Sequence, residues 1–102
     1  MNPAKVDRKH LLHLTDLPNV GPACEKDLQR IGIRVAAQLR GRDAYDMYAQ
    51  LCLCTGVLHD PCVIDVFLSI TRFMQGEAPR PWWAFSAERK ATLASEAPLS
   101  LG

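Results

Sequence analysis

The sequence predicts an all-α fold, a compact bundle of about five short helices. Apolar residues recur at helical spacing, and prolines and glycines stand where helices begin and end. No segment alternates strictly between apolar and polar residues, as a half-buried strand would. The 102 residues, 48% hydrophobic and 23% charged, are enough for one globular core. We expect one helical domain at residues 1–90 and a flexible tail at 91–102, where the apolar periodicity stops.

The first two predicted helices flank a bend. Residues 6–17 carry Leu11, Leu14 and Leu17 at helical spacing. The second helix runs from residue 22 to residue 31, because Pro22 suits a first helical position and Gly32 suits the residue beyond the end. A further short turn is expected at residues 35–39.

The next predicted helix runs from Asp43, a candidate cap, to about Cys54, with Gly56 just beyond its end. Its inward residues share one face of the helix: Tyr48, Leu51 and Cys52.

Asp60 and Pro61 mark the start of the clearest helix, which stops near Gly76. Its apolar residues form one continuous stripe: Val63, Val66, Phe67, Ile70, Phe73 and Met74. A short capped turn is expected at residues 86–90.

The net charge of +1 hides two segments of opposite sign. The basic segment, residues 26–42, sets five bases against Asp27 alone: Lys26, Arg30, Arg34, Arg40 and Arg42. The acidic segment, residues 43–77, sets five acids against Arg72 alone: Asp43, Asp46, Asp60, Asp65 and Glu77. The balance argues against a strongly basic nucleic-acid binder, but it leaves a local basic surface.

Several classes of protein are excluded. The apolar stretch at residues 63–71 is broken by Asp65, so no membrane span is expected. Residues 1–16 do not resemble a secretory signal, and we therefore expect a cytoplasmic protein whose four cysteines are not disulfide-bonded. We also expect no enzyme, no cofactor and no small-molecule substrate, since no nucleophile–base set or glycine-rich nucleotide loop is present.

The most informative segment is the hairpin, residues 17–22. Asn19 and Gly21 suit positive φ angles, and Val20 can fill the space between the helices. The helix that follows begins with free N–H groups, which favour an anion such as a phosphodiester oxygen.

This pattern resembles the helix-hairpin-helix motif, which grips the nucleic-acid backbone without reading bases. The candidate DNA-contacting residues follow from that resemblance and from the basic segment: Asn19, Gly21, Ala23, Lys26, Arg30 and Arg34. Asn19 stands where the motif usually has glycine, and Glu25 would repel a phosphate. The alternative is a helical corner that only packs the core or docks a protein partner or a second copy of the chain.

The candidate metal ligands are Cys52, Cys54, His59 and Cys62. Because helix geometry places Cys52 and Cys54 about 200° apart around the axis, a single ion cannot bind both there. We therefore expect no metal and favour small core cysteines, with a Cys52–Cys62 redox contact as the alternative. For Cys62, a helix N-terminus predicts a lowered thiol pKa. His10 and His13 are expected to be exposed.

The strap, residues 79–85, contains Arg80, Trp82, Trp83 and Phe85. Such a segment usually covers a core that short helices leave open, and this is the favoured interpretation. Aromatic rings beside an arginine also stack on bases in nucleic-acid binders.

Four stretches are similar to one known family. They are residues 14–21, residues 43–52, the run beginning His59-Asp60-Pro61-Cys62, and residues 72–90 with Pro81-Trp82-Trp83. The chain resembles the bacterial pathogenicity-locus family, small helix-hairpin-helix-like proteins sometimes labelled mitomycin-resistance proteins. The resemblance implies the fold more firmly than the activity. We therefore expect weak, non-sequence-specific binding to the DNA backbone, with a protein-interaction module as the alternative.

Overall fold

Helix α3, Cys62–Met74, lies at the centre of the molecule. The computed structural model describes residues 6–100, with side chains for residues 6–95. The buried residues of α3 face almost every direction around its axis: Ile64, Asp65, Phe67, Leu68, Ser69, Ile70, Thr71 and Phe73. A helix buried on nearly all sides must be surrounded by other elements, and α3 does contact two 3-10 turns and two helices.

Three further α-helices and three single 3-10 turns complete the described part of the chain. Helix α1 is Pro22–Arg30, α2 is Ala44–Thr55 and α4 is Ser86–Ser100. The 3-10 turns are Leu14–Asp16, Ala36–Leu39 and Trp82–Phe85. Between residues 6 and 100 there is no strand, which confirms the all-α class, but the α-helices number four rather than about five. No helix in this range is long and apolar enough to cross a membrane.

Local sequence signals set the ends of α2 and α3 as predicted. The Asp43 carboxylate accepts hydrogen bonds from the N–H groups of Tyr45 (2.7 Å) and Asp46 (3.1 Å). At the other end, Gly56 adopts a left-handed φ of 69° and donates its N–H to the Cys52 carbonyl. Asp60 caps α3 in the same way, through a 2.8 Å bond from the Cys62 N–H.

The predicted first helix over residues 6–17 is wrong, because only Leu14–Asp16 forms a single 3-10 turn. Carboxylates hold the local backbone outside helical geometry: Asp7 accepts from the Lys9 N–H, and Asp16 accepts from the His13 N–H. Leu14 and Leu17 are nevertheless buried, as their spacing predicts.

Arg8 ties the start of the chain to the end of α3. Its guanidinium donates to the carbonyls of Phe73 and Glu77, and it lies 3.9 Å from the centre of the Phe73 ring. These contacts span more than sixty residues, so local sequence patterns do not reveal them.

Helix α4 begins at Ser86 and extends far beyond the predicted short turn. It includes residues 91–100, which the sequence analysis assigns to the tail. Residues 101–102 of that predicted tail lie outside the described range.

A buried ion pair fastens α4 to α3. The Asp65 carboxylate is fully buried, and it accepts from Arg89 Nε at 2.9 Å and from Ser86 Oγ at 2.6 Å. In the sequence, Asp65 counts only as one charge of the acidic segment, so its burial is not predicted. Its partners lie 21 and 24 residues further along the chain, where no periodic pattern connects them.

Candidate nucleic-acid interface

A buried side chain anchors the hairpin to the core, whereas the outer part of the hairpin is exposed. Val20 is completely buried between the elements that it joins, whereas Gly21, Pro22 and Ala23 are exposed. A Cβ atom added at Gly21 would meet nothing within 4 Å. The backbone here is therefore accessible to a large polyanion.

The two residues expected to need positive φ angles behave differently. Asn19 has a φ of 64°, but Gly21 has a φ of −96° and a ψ of −176°, which is ordinary extended backbone. This conformation suits the residue before Pro22. The prediction of a left-handed Gly21 is therefore wrong, and the value of glycine here is its lack of a side chain.

Free backbone amides stand at the start of α1. The first intrahelical bond runs from the Glu25 N–H to the Gly21 carbonyl at 2.9 Å. Among the described residues, nothing accepts a hydrogen bond from the N–H groups of Ala23 and Cys24. These donors and the helix dipole favour a negative charge at the exposed end of the helix.

The basic side chains near the start of α1 differ in how far their charge is already balanced. Lys26 and Arg34 are exposed and form no ion pair within the described part of the chain. Arg30 pairs with Asp27 at 2.7 Å, so part of its charge is already balanced. Glu25 lies half-buried in the first turn of α1, where it stabilises the helix but opposes an incoming phosphate.

Asn19 has a structural role that the sequence analysis missed. Its side-chain amide donates to Ser69 Oγ on α3 at 3.0 Å and to the Arg80 carbonyl of the strap at 2.8 Å. The amide is therefore engaged, and Asn19 shapes the hairpin through its φ and these two bonds. Both partners lie 50 or more residues away, which leaves no local signal.

The four candidate metal ligands have separate partners. The Cys54 thiol lies 3.7 Å from the Arg30 carbonyl, and His59 Nε2 lies 2.8 Å from Thr55 Oγ1. In residues 6–95, no group of three or more His, Cys, Asp or Glu side chains is arranged to hold a metal ion. Cys52 and Cys62 are both free thiols, each half-buried.

The raised pKa values of two cysteine thiols argue against a nucleophilic cysteine. A hydrogen bond with Asp60 is the main cause that raises the pKa of Cys62, so the lowered value expected from its helix N-terminus is wrong. Burial, helped by Asp27, raises the pKa of Cys24 to about 12. Neither thiol is therefore activated as a thiolate at neutral pH.

The strap covers the core with only part of its aromatic surface. Phe85 is buried and Trp82 is half-buried, as the favoured interpretation predicts. Trp83, by contrast, is 64% exposed. His10 and His13 are also exposed, as expected.

The comparisons with known proteins agree with the resemblance found in the motifs. The family model described as Cdd1, pathogenicity locus, matches residues 7–91. The chain belongs to the pathogenicity locus family. In a separate comparison with curated proteins, the mitomycin resistance protein McrB of Streptomyces lavendulae is 41% identical to this chain over 83 residues. The match covers 81% of this chain and 79% of the relative.

No solved structure matches the chain. The matched range of the pathogenicity locus family includes the hairpin, the basic segment, the central helix and the strap. It also includes the four candidate metal ligands, for which no metal was expected, so the family match by itself does not favour one of these sites over another.

Proposed function

We propose that this member of the pathogenicity locus family binds the sugar-phosphate backbone of DNA, weakly and without sequence specificity. The observation that carries the proposal is the exposed start of α1, where the unpartnered Ala23 and Cys24 amides stand beside an open Gly21. A phosphate oxygen accepts hydrogen bonds from such amides and is favoured by the helix dipole. The proposal involves no catalysis, and it keeps the cytoplasmic location expected from the sequence.

Electrostatics limits the affinity. Lys26, one turn into α1, and Arg34 supply uncompensated positive charge, whereas Glu25 opposes it. A hairpin that contacts two to four phosphates gives a slope of log K against log salt of about −2 to −3.5. Binding by one copy is therefore measurable at low salt and weak at physiological salt.

The relative's name refers to mitomycin resistance. We extend that role to this chain as part of the proposal, with backbone binding as the molecular activity behind it.

Substitution of Gly21 by valine tests whether a DNA phosphate closely approaches the backbone of the hairpin. The valine fits an extended conformation without a clash, so the fold is expected to remain intact. Its side chain would cover the amides, and we expect DNA affinity to fall about tenfold, as for one lost hydrogen bond to a charged group. Fluorescence anisotropy with a labelled duplex at low salt measures the change. Ala49→Val, which adds bulk to an exposed site on α2, is the matched control.

Lys26→Glu tests the charge beside the amides in the same titration. We expect weaker binding and a salt slope reduced in magnitude by about 1. Lys90→Glu on α4 makes the same change in net charge and is expected to have a smaller effect. If Gly21→Val and Lys26→Glu both bind as tightly as the unaltered chain, the hairpin does not contact DNA.

A second candidate function is self-association through the exposed apolar side chains at the end of α2 and just beyond it, here called the apolar patch: Leu53, Val57 and Leu58. Leu53 and Leu58 are more than four-fifths exposed, which is unusual for two large apolar side chains so close in sequence. Leu58 also borders an apolar cavity of about 390 Å³. In a two-fold dimer the same patch meets its own copy, so an apolar projection beside an apolar recess is self-complementary. A dimer would double the number of phosphate contacts.

We expect the unaltered chain to dimerise as its concentration rises and Leu58→Asp to remain monomeric. Sedimentation velocity at several concentrations measures this. Leu12→Asp, at a similarly exposed leucine in the N-terminal segment, is the control. A chain that stays monomeric at every concentration would rule out the dimer.

A further inference from the structure

The strap lies directly beside the hairpin. Asn19, in the middle of the hairpin, donates its side-chain amide to the backbone carbonyl of Arg80 at 2.8 Å. The same amide group reaches Ser69 on α3, so the hairpin, the strap and the central helix meet at one residue. The position of the strap relative to the hairpin is therefore fixed by direct bonds.

The strap holds one aromatic side chain outward. Phe85 is almost completely buried and anchors the strap to the core, whereas Trp83 is 64% exposed. The Trp82 ring contacts Trp83 edge to face, with ring centres 5.7 Å apart and planes at 85°. Such a contact orients the Trp83 ring while leaving most of its surface open. Since Phe85 already provides the core contact, the core does not account for the exposed indole.

The charges of the strap suit stacking on a nucleobase better than electrostatic attraction of a phosphate. The Arg80 guanidinium lies 4.3 Å from the centre of the Phe85 ring and 3.6 Å from a Glu77 carboxylate oxygen. Because Glu77 balances Arg80, the strap adds little net positive charge for a phosphate. The open aromatic face of Trp83 is instead suited to the face of a nucleobase, which needs no charge.

We infer that Trp83 stacks on an unpaired base next to the hairpin, so that the preferred ligand is DNA with a single-stranded end or gap. This inference rests on the proposed backbone binding by the hairpin and names the form of DNA that it takes. Bases inside a closed duplex are stacked on their neighbours and present only their edges in the grooves, so an indole stacks on an unpaired base without the cost of separating two stacked pairs.

The distances allow both contacts on one strand. Consecutive Cα atoms are about 3.8 Å apart, so the two steps from Gly21 to Asn19 and the three from Arg80 to Trp83 bound the span. With the Asn19 side chain, its 2.8 Å hydrogen bond and the Arg80 carbonyl included, the Cα atoms of Gly21 and Trp83 lie within roughly 28 Å of each other. At about 3.4 Å per nucleotide along a strand, this is at most about eight nucleotides.

The test compares three labelled ligands at low salt: a blunt duplex, the same duplex with a single-stranded overhang, and the single strand. We expect the unaltered chain to bind the overhang duplex at least about fivefold more tightly than the blunt duplex, the lower end for stacking on one base. Trp83→Ala is expected to abolish this difference, and Trp83→Phe to keep most of it. Leu12→Ala, which removes another exposed large apolar side chain from a segment that neither proposal uses, is expected to leave it unchanged.

Indole fluorescence provides an independent readout. Stacking is expected to quench the emission of the unaltered chain on addition of the overhang duplex, and Trp83→Phe is expected to lose that quenching while it retains affinity. Equal affinity for blunt and overhang duplexes, or an equal effect of Trp83→Ala on both, would overturn the inference. In that case, loss of binding in Lys26→Glu would still support the proposed function. If none of the three ligands binds, both proposals fail.

Discussion

Replacement of Asp65 by alanine is expected to lower the free energy of unfolding by about 3–5 kcal/mol. The carboxylate is fully buried and accepts two bonds from the Arg89 guanidinium and one from the Ser86 hydroxyl. The Arg89 side chain is only 11% exposed, so alanine leaves a charge without a partner in a site that water hardly reaches. Urea denaturation followed by far-UV circular dichroism measures the loss.

Two comparisons separate a buried unpaired charge from general disturbance of the helices. The double variant Asp65→Leu with Arg89→Met removes both charges, and we expect it to recover most of the lost stability. Arg30→Ala breaks the more exposed pair with Asp27 on α1, and we expect it to cost about 0.5 kcal/mol or less. A loss in Asp65→Ala no larger than that in Arg30→Ala would contradict the buried-pair interpretation.

The helices that sequence reasoning placed correctly are those whose ends are determined by residues only a few positions apart in the chain. Pro22 begins α1, Asp43 and Gly56 bracket α2, and Asp60 caps α3. Each signal acts through bonds between residues two to four positions apart. The physical cause therefore lies inside the window in which periodicity and capping are read.

Other features escaped sequence reasoning for the opposite reason, because contacts between distant residues decide them. Arg8 binds the end of α3 across 65 and 69 positions. Asp65 meets Arg89 across 24 positions, and this pair buries one charge of the acidic segment and anchors α4 to α3. Sequence reasoning had no means to pair these residues, so it missed the burial of Asp65 and the attachment of Arg8 to α3. The wrong helix at residues 6–17, by contrast, reflects local backbone bonds to two nearby aspartate carboxylates.

In the candidate site, too, the features set by local signals were predictable and those set by contacts between distant residues were not. The open backbone at Gly21 and the exposed Lys26 follow from turn chemistry and from the charge count. The place of the strap beside the hairpin depends on the bond between Asn19 and Arg80, which connects positions 61 residues apart. The sequence therefore indicated the candidate phosphate site, but only the folded chain connects it to the strap that carries the exposed Trp83.

Phe85→Ala is expected to destabilise the chain by about 3–5 kcal/mol, the usual cost of removing a buried phenyl ring. The ring is almost completely buried against the core, and the Arg80 guanidinium lies over its face. Because Phe85 ends the strap directly before α4, its loss removes the apolar anchor at the junction of both elements. Urea denaturation measures the cost.

Trp83, in the same helical turn, provides the matched comparison. Although the indole is larger than the phenyl ring, Trp83→Ala is expected to cost less than about 0.5 kcal/mol, since most of the indole is already in water. The two variants are therefore expected to separate the stability of the fold from the recognition of DNA. Phe85→Ala should weaken the fold, whereas Trp83→Ala should change the preference for overhang DNA in a chain that remains stable. Equal destabilisation by the two substitutions would mean that the indole packs against the core, and it would remove the basis for a base-stacking role. A large loss in Phe85→Ala alone, with Trp83→Ala unfolding like the unaltered chain, is the result that an anchored strap with an outward-facing indole requires.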